Sequence, residues 1–498
     1  MMGRLLAQGG SFGRRRRAPF LVCCGLAVLA AGLAGCAPKD SPCTGADCAG
    51  PTDSGAGSDT ALPEESCVED DAAFLSLEDE ETRVDTVHRV RWSLATPAPA
   101  FVRFEDGGQP MRTPEVPAAD SQEILLLGTG ALQTVSWQVW VPDGAGGFVC
   151  SAPHSYQTGA LDPEIPELGV QLTGGADQRG ALALVAIISQ DWSMVTALDR
   201  AGRVVWWLPA SHMTTRVRLA RGGGAVLFAA GATSIAESAI IERVGLDGVP
   251  GAPSEITGGH TDFTELPDGS LAMLGWDIRP FEGGKRHLLG DTIVERSPDG
   301  SQRVVWDIYD DLVPDLTRSW FSSFYQADPT VEDWSHANGI GYDPVDDQYL
   351  VSISSLSLVV AIDRSSGRLA WSVGGADATL DTPDGLIDNP HSVQRQPDGS
   401  YLVFNRRKKT CSSVEHFTVD REAGRAELLE TYASPDCLRV DLLGDARGLP
   451  DDGLLISWSS SGRIQELDAA RNTTRQVDLS LGAIFGFIDP VSSLYDVP

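Results

Sequence analysis

Residues 333–352 read DWSHANGIGYDPVDDQYLVS, and after one more strand-like run the chain continues as AIDRSSGRLAWSVGG at 361–375. The segment opens on a His two residues before an Asn and turns at an Asp/Pro/Asp cluster. It then alternates apolar and small residues as a strand does. Two shorter echoes flank it, GGHTDFTELPDGSLAML at 258–274 and NPHSVQRQPDGSYLVF at 389–404. Each sets a His ahead of a Pro-Asp-Gly turn and a strand, so His260, His336 and His391 recur at what reads as one place in a repeating unit.

Working outward, an apolar residue, an acid and usually a base recur ahead of a turn: LDR at Leu198, IER at Ile241, VER at Val294, IDR at Ile362, VDR at Val419 and LDA at Leu467. Three of these are followed by Trp-bearing strands, GRVVWW, QRVVWD and GRLAWS. Pro-Asp-Gly-like turns punctuate LPDGSLAML, QPDGSYLVF and LPDDGLLIS. A long β-sandwich would not repeat one turn in this way, and β-helix coils are much shorter. The copies, 43 to 68 residues apart, match blades of four short strands. The expectation is a six-bladed β-propeller over residues 163–498. Between Trp276 and Thr292, and between Tyr309 and Trp334, the segments read as too long for hairpins. The second carries Trp320, Phe321, Phe324 and Tyr325, which either cover a flat apolar ligand or pack the loop itself.

Upstream, residues 66–160 hold short alternating runs such as RVRWSL, AFVRF, EILLLG and VSWQVWV between Pro/Gly/Asp turns, with a cysteine near each end. They predict a small β-sandwich of immunoglobulin or fibronectin type, more often a spacer than a catalyst. Residues 37–65 are rich in Ser, Gly, Pro, Asp and Thr and predict a flexible linker. Residues 1–36 combine the basic run Arg14–Arg17, an apolar stretch from Phe20 to Leu33, and Leu-Ala-Gly ending at Cys36. This resembles a bacterial lipoprotein signal, with Cys36 lipidated as the mature N-terminus. The expected location is the cell envelope, on the periplasmic face or the surface of the outer membrane, with the membrane met only through the lipid anchor. Oligomeric state is not legible.

Cysteine usage agrees with export. Cys23 and Cys24 leave with the leader and Cys36 carries lipid, so Cys43, Cys48, Cys67, Cys150, Cys411 and Cys437 remain. Sequence order suggests Cys43 with Cys48, Cys67 with Cys150 and Cys411 with Cys437, among about fifteen connectivities. No cysteine spacing resembles a zinc site. The formal net charge is -31 and loses basic residues with the leader, which argues against a nucleic-acid partner.

Residues entering the innermost strands of a propeller converge on one axis, so His260, His336 and His391 become candidates for a shared site. Three imidazoles could hold a metal with Asp262 or Asp333, form an anion-binding cluster with a nucleophile, or cap turns. At this point the quoted segments matter again: DWSHANGIGYDPVDDQYLVS with IDRSSGRLAWSVGG, GHTDFTELPDG and NPHSVQRQPDG together resemble the signature segments of the bacterial arylsulfate sulfotransferases (arylsulfotransferase, ASST). The resemblance covers most of the region expected to be a propeller and is strongest from about Gly258 to Arg407.

The resemblance implies a propeller enzyme that moves a sulfuryl group from a phenolic sulfate to a phenol without a nucleotide sulfate donor, through a covalently sulfated histidine. It implies no cofactor and no metal. His391 matches the family's nucleophile, His336 and His260 match histidines that hold sulfate oxygens and protonate the leaving phenol, and Asn338 matches an active-site asparagine. The chain departs from the pattern where relatives carry an arginine in a run like Ser-Ser-Arg-His. Here the residues are Ser352-Ile353-Ser354-Ser355, and GAIFGFIDPVSSLY at 482–495 also lacks a basic residue. A serine cannot replace a fixed cation. Arg406 or Arg407, just after the strand that follows His391, could supply it from another blade. A Cys411–Cys437 bridge would pin the loop beside them, and the resemblance implies a disulfide in this part of the chain.

Overall fold

Glycine and aspartate turns set the strand pattern. In 267–269 and 397–399 the glycine sits in the left-handed region, Gly269 at φ 80° and Gly399 at φ 91°. The preceding carboxylates, Asp268 and Asp398, each accept the backbone N–H two residues on, from Ser270 and Ser400, at 2.9 Å. The computed structural model describes residues 66–173, 182–189, 192–210, 214–230, 237–322, 331–480 and 482–498. The leader, the linker, Cys36, Cys43 and Cys48 lie outside the described residues, as do Phe324 and Tyr325.

The described chain is all-β, relieved only by three single-turn 3₁₀ segments. From Leu182 onward the strands form six sheets in chain order, antiparallel except where Val331–Asp333 runs parallel to Arg286–Arg296 in the third. The second consists of Thr214–Leu219, Ala225–Ala230, Ala239–Gly245 and Ser254–Ile256. The third is built on Gly259–Glu265, Leu271–Phe281, Arg286–Arg296 and Gln302–Asp307, and also takes Phe321–Ser322 and Val331–Asp333. Ala337–Asp343, Gln348–Ile353, Leu358–Asp363 and Arg368–Gly374 make the fourth. Pro390–Arg395, Tyr401–Asn405, Ser413–Asp420 and Arg425–Ala433 make the fifth.

The first and sixth sheets are completed from the opposite ends of the chain. The C-terminal strand Ala483–Val491 pairs with Leu182–Ser189 as the innermost strand of the first sheet, ahead of Ser193–Leu198 and Val204–Ala210. Leu168–Leu172 pairs with Thr473–Leu479 on the outside of the sixth, whose other strands are Asp445–Gly448, Leu454–Ser457 and Arg463–Leu467. Innermost strands of neighbouring sheets touch all the way round, from Ala483–Val491 through each in turn and back.

Apolar seams follow the same cyclic order. Leu350, Val359 and Ala361 face the fifth sheet, while Tyr349, Val351 and Val360 face the third. Strand alternation thus buries both faces, which is why QYLVSI and LVVAI read as continuous apolar runs. The six triplets begin in the third strands counted outward, and the Trp of GRVVWW, QRVVWD and GRLAWS lies in the fourth.

One expectation is corrected here. Trp276 to Thr292 is a single long hairpin, because both strands run on to the pair Phe281–Arg286 before turning.

Residues from Cys67 to Gln157 form two further sheets, one of three strands and one of six, which share a core around Trp92 and Trp137. They pack against the first and second of the six sheets. Val84, Val87 and Leu127 join the same core as Leu184, Trp206 and Leu246, and the buried Thr86 hydroxyl donates to the Val205 carbonyl at 2.9 Å. The described residues form one compact unit.

Two disulfides are present among the described residues, Cys67–Cys150 and Cys411–Cys437.

Candidate active site

Where the innermost strands of the fourth and fifth sheets begin, a cavity of about 450 Å³ is lined by His336, Asn338, Ser354, Asn389, His391 and Arg406, among others. Several of its residues hold strained backbone. His336, Asn389 and the lining residue Thr261 all lie at φ 55°, and Ser392 beside His391 at φ 68°. Non-glycine residues reach this region only where surrounding structure enforces it, and such strain gathers at functional sites.

His391 is buried, opposite Phe404 and immediately before a bulge in the ladder. Its Nδ1 lies 2.8 Å from the Gly444 carbonyl oxygen. A carbonyl only accepts, so Nδ1 carries the proton and Nε2 keeps the lone pair. Burial, and after it the nearby Arg406 cation, holds the imidazole well below its usual pKa, so the ring is neutral. Gly444 is required where it stands: its φ is 105°, and a Cβ there would meet the Phe404 ring at 2.3 Å.

His336 precedes the first paired residue of its strand, Ala337, and its Nδ1 lies 2.7 Å from Asp333 Oδ2. Asp333 is buried, and burial raises its pKa despite the opposing pull of His336. A carboxylate on Nδ1 fixes the orientation of the ring.

His260 does not line the cavity. It is buried one layer behind, stacked on Trp276 with ring centroids 4.8 Å apart, and its Nδ1 lies 2.9 Å from the Thr261 hydroxyl. Its Nε2 lies 3.3 Å from the Gly275 carbonyl oxygen and 3.1 Å from Asp291 Oδ1. Asp291 Oδ2 accepts from the Ser335 hydroxyl at 2.5 Å and from the Ala337 N–H at 2.7 Å. Asp291 thus lies between His260 and the two neighbours of His336. The ladder also separates the three positions: His260 and His391 are each the last paired residue before a bulge, whereas His336 lies just outside its ladder.

Asn338 lines the cavity and ties the two sheets together. Its Nδ2 donates to the Pro390 carbonyl at 3.1 Å, and its Oδ1 accepts from Ser352 Oγ at 2.7 Å. Ser352 Oγ in turn accepts from the Ser392 N–H at 3.1 Å. Gly339 permits this approach, since a Cβ there would lie 2.8 Å from Ser392 N.

Arg406 and Arg407 part company. Arg406 lines the cavity, and its Nη2 donates to Ser354 Oγ at 2.7 Å and to Asn389 Oδ1 at 3.0 Å, while Nη1 reaches the Asp441 carbonyl at 3.3 Å. Arg407 points elsewhere. Its Nε donates to Ser413 Oγ at 2.6 Å and its Nη2 pairs with the buried Glu415. The arrangement brings His391, His336, Asn338 and Arg406 to one cavity, leaves His260 behind it and removes Arg407.

The carboxylates considered as metal partners are already engaged. Asp262 holds the buried Arg216 in two contacts and accepts the Ile340 N–H at 2.9 Å; Asp333 holds His336. Among the described residues no group of three His, Cys, Asp or Glu side chains is arranged for a metal. Arg216 also lies 3.9 Å from the centroid of Phe487, whose ring meets His391 at 4.9 Å. Sequence reading missed Asp291, Asn389, Gly444 and Phe487. The Asn before Pro390 and His391 was visible as a residue, but no spacing marks Asp291, which lies in mid-strand.

Comparison with known proteins gives the chemistry a family. No curated protein matches this chain. Solved structures that resemble it include virginiamycin B lyase from Staphylococcus aureus, at 11% identity over 64% of this chain and 98% of that one, TM-score 0.37. A periplasmic gluconolactonase from Pseudomonas aeruginosa matches at 13% identity over 64% and 100%, TM-score 0.38. A putative 6-phosphogluconolactonase from Bacteroides uniformis matches at 13% over 79% and 99%, TM-score 0.37. None of these likenesses is strong enough to bear on the site. Two family models do: both described as arylsulfotransferase (ASST), they match residues 173–383 and 303–478 and so run through every residue of the cavity named above. The chain belongs to the arylsulfotransferase family.

Proposed function

We propose that the protein is a sulfotransferase that carries a sulfuryl group from a phenolic sulfate ester to a phenolic acceptor through a sulfohistidine at His391. The observation that carries this reading is the state of that ring: neutral, with Nδ1–H committed to the Gly444 carbonyl, in one cavity with His336 and Arg406.

In the first half-reaction Nε2 of His391 attacks sulfur as the sulfur–aryl oxygen bond breaks. A proton on Nε2 of His336 passes to the departing phenoxide. His391 then bears the sulfuryl group on Nε2, its ring positive and still protonated at Nδ1. In the second half, the acceptor oxygen attacks sulfur, its proton passes to His336, and the nitrogen–sulfur bond breaks to restore neutral His391. Splitting the transfer this way replaces one difficult step by two easier ones. Arg406 and the Asn338 amide are placed to meet charge on the sulfuryl oxygens, as fixed donors do in phosphoryl transfer. His260 serves as a positioning residue, acting through Asp291 on the segment that carries His336.

The remaining architecture is read in the same way. The six sheets, with their closed ring of innermost strands and seams, support a six-bladed β-propeller over residues 163–498. The two N-terminal sheets support a β-sandwich over 66–160, seated on the propeller. The leader, together with two disulfides, supports an exported lipoprotein held in the cell envelope through Cys36.

The test is direct. Protein lacking residues 1–36 is incubated with para-nitrophenyl sulfate and excess phenol, and nitrophenol release is followed. Release that vanishes in His391→Ala, with a sulfated His391 peptide trapped by rapid quenching in the wild type, is the expected result. No release, or undiminished release from His391→Ala, removes the reading.

A further inference from the structure

The mouth of the cavity carries positive charge that the transfer itself does not use. Arg406 sits at the floor with His391, whereas Arg318 and Lys408 line the opening. The Arg318 guanidinium lies over the ring of Trp320, 4.2 Å from its centroid. Trp320 forms part of the wall, is held edge-on against Trp334 at 6.4 Å, and is only 9% exposed. Among the described residues neither Arg318 nor Lys408 forms an ion pair, and the lining carries one carboxylate, Asp441.

Three cations against one acid is a local reversal in a chain of net charge -31. Such a chain repels anions at long range, and exposed cations are ordinarily spent on surface acids. One sulfuryl group needs the floor cation and leaves the two at the mouth unmatched. The Arg318–Trp320 pair offers an aromatic wall with a guanidinium fixed at its face, a geometry suited to an aryl ring that bears its own negative group.

We propose that the preferred acceptor is an anionic phenol, one whose ring carries a second negative group, such as a carboxylate, remote from the reacting hydroxyl, and that Arg318 and Lys408 recognise that group. This rests on the sulfuryl-transfer reading of the same cavity. The site works on both sides of the transfer, so a donor ester with such a group is favoured in the same sense.

The experiment uses para-nitrophenyl sulfate as a fixed donor and three acceptors of similar shape: para-hydroxyphenylacetate, phenol and tyramine. Wild type is expected to rank them anionic, neutral, cationic by kcat/KM. In Arg318→Gln with Lys408→Gln the ratio of anionic to neutral falls about tenfold, the scale of one lost hydrogen bond to a charged group. In Arg318→Glu with Lys408→Glu the order inverts towards tyramine. The phenol rate in each variant reports intact folding. Turnover without discrimination by charge in the wild type, or variants that slow all three acceptors by one factor, overturns the preference alone. Absence of turnover with all three acceptors overturns the transfer reading and the preference with it.

Discussion

Arg406, borne by the loop after the second strand of the fifth sheet, donates from Nη2 to Oγ of Ser354, which follows the second strand of the fourth, at 2.7 Å. A cation from one sheet thus reaches its neighbour at Ser354, within the run Ser352-Ile353-Ser354-Ser355, which holds no basic residue of its own. Asn389 Oδ1 and the Asp441 carbonyl complete its grip, so the guanidinium is fixed before any ligand arrives.

Removing that cation should slow the chemistry more than it weakens binding. Arg406→Ala is expected to lower kcat by about a hundred- to a thousand-fold, the usual scale for one preorganised donor. Arg406→Lys should recover little, since an ammonium cannot fork across Ser354, Asn389 and the Asp441 carbonyl together. Adding Ser354→Arg to Arg406→Ala should restore part of the rate if the charge, rather than its origin, is what matters. Steady-state kinetics on the three variants decide it; wild-type kcat in Arg406→Ala would show the cation to be idle.

The neutrality of His391 has a signature in pH. Burial and then Arg406 depress its pKa below the ordinary value near 6.5, so the acid limb of donor cleavage should lie below that value. In Arg406→Ala the limb should move up towards it. Folding responds with a definite sign. Below about pH 6.5 the unfolded chain binds a proton at this position that the folded chain refuses, so stability falls as the pH drops from there towards the folded pKa. The contribution is intact above that window. Replacing His391 by Gln should flatten the slope by up to about 1.4 kcal/mol per pH unit. Denaturant midpoints from pH 7 to pH 4 test this, and parallel curves would contradict it.

What the sequence discloses and withholds has a physical reason in each case. The triplets from Leu198 to Leu467 are legible because a strand ending at a turn needs the same local chemistry in every sheet, whatever lies around it. The C-terminal strand Ala483–Val491 is not, because its partner Leu182–Ser189 is some three hundred residues away and nothing local in GAIFGFIDPV records the pairing. Arg406 and Arg407 are neighbours of one type, and only the buried Glu415 decides which of them turns from the cavity. Asp291 lies in an apolar third strand where a lone acid looks like many others; its role appears only when His260 and the Ser335–Ala337 segment close around it.

His336 and His260 should separate by leaving group. If His336 supplies the proton, Asp333→Asn, which disturbs its orientation, should cost about a hundred- to ten-thousand-fold with phenyl sulfate. It should cost far less with para-nitrophenyl sulfate, whose phenoxide leaves without help. His260→Ala should follow the same pattern more weakly, since it acts through Asp291. Equal losses on both esters would point to general disruption of the site rather than to acid catalysis.

The two disulfides should dissociate stability from function. Cys67 and Cys150 are 83 residues apart, Cys411 and Cys437 only 26, so loop closure makes the first the larger stabiliser. Its loss should cost about 4.5 kcal/mol against roughly 3 to 4 for the second. Yet Cys411 lies three residues beyond Lys408, and Cys437 lies just before Asp441 to Leu443, all of which line the cavity. The same two loops are further sewn together by the Ser412 N–H to the Leu438 carbonyl at 2.9 Å and by Arg439 Nη2 to the Lys408 carbonyl at 3.2 Å. Cys411→Ala with Cys437→Ala should therefore raise KM for the aryl ester and lower kcat through Arg406, whose Nη1 rests on Asp441. Cys67→Ala with Cys150→Ala should lower the melting temperature further and leave both constants within about twofold of wild type when assayed well below the transition, as expected for a site whose residues lie on other elements. Kinetic losses of equal size in the two variants would mean that the bridges act only through global stability.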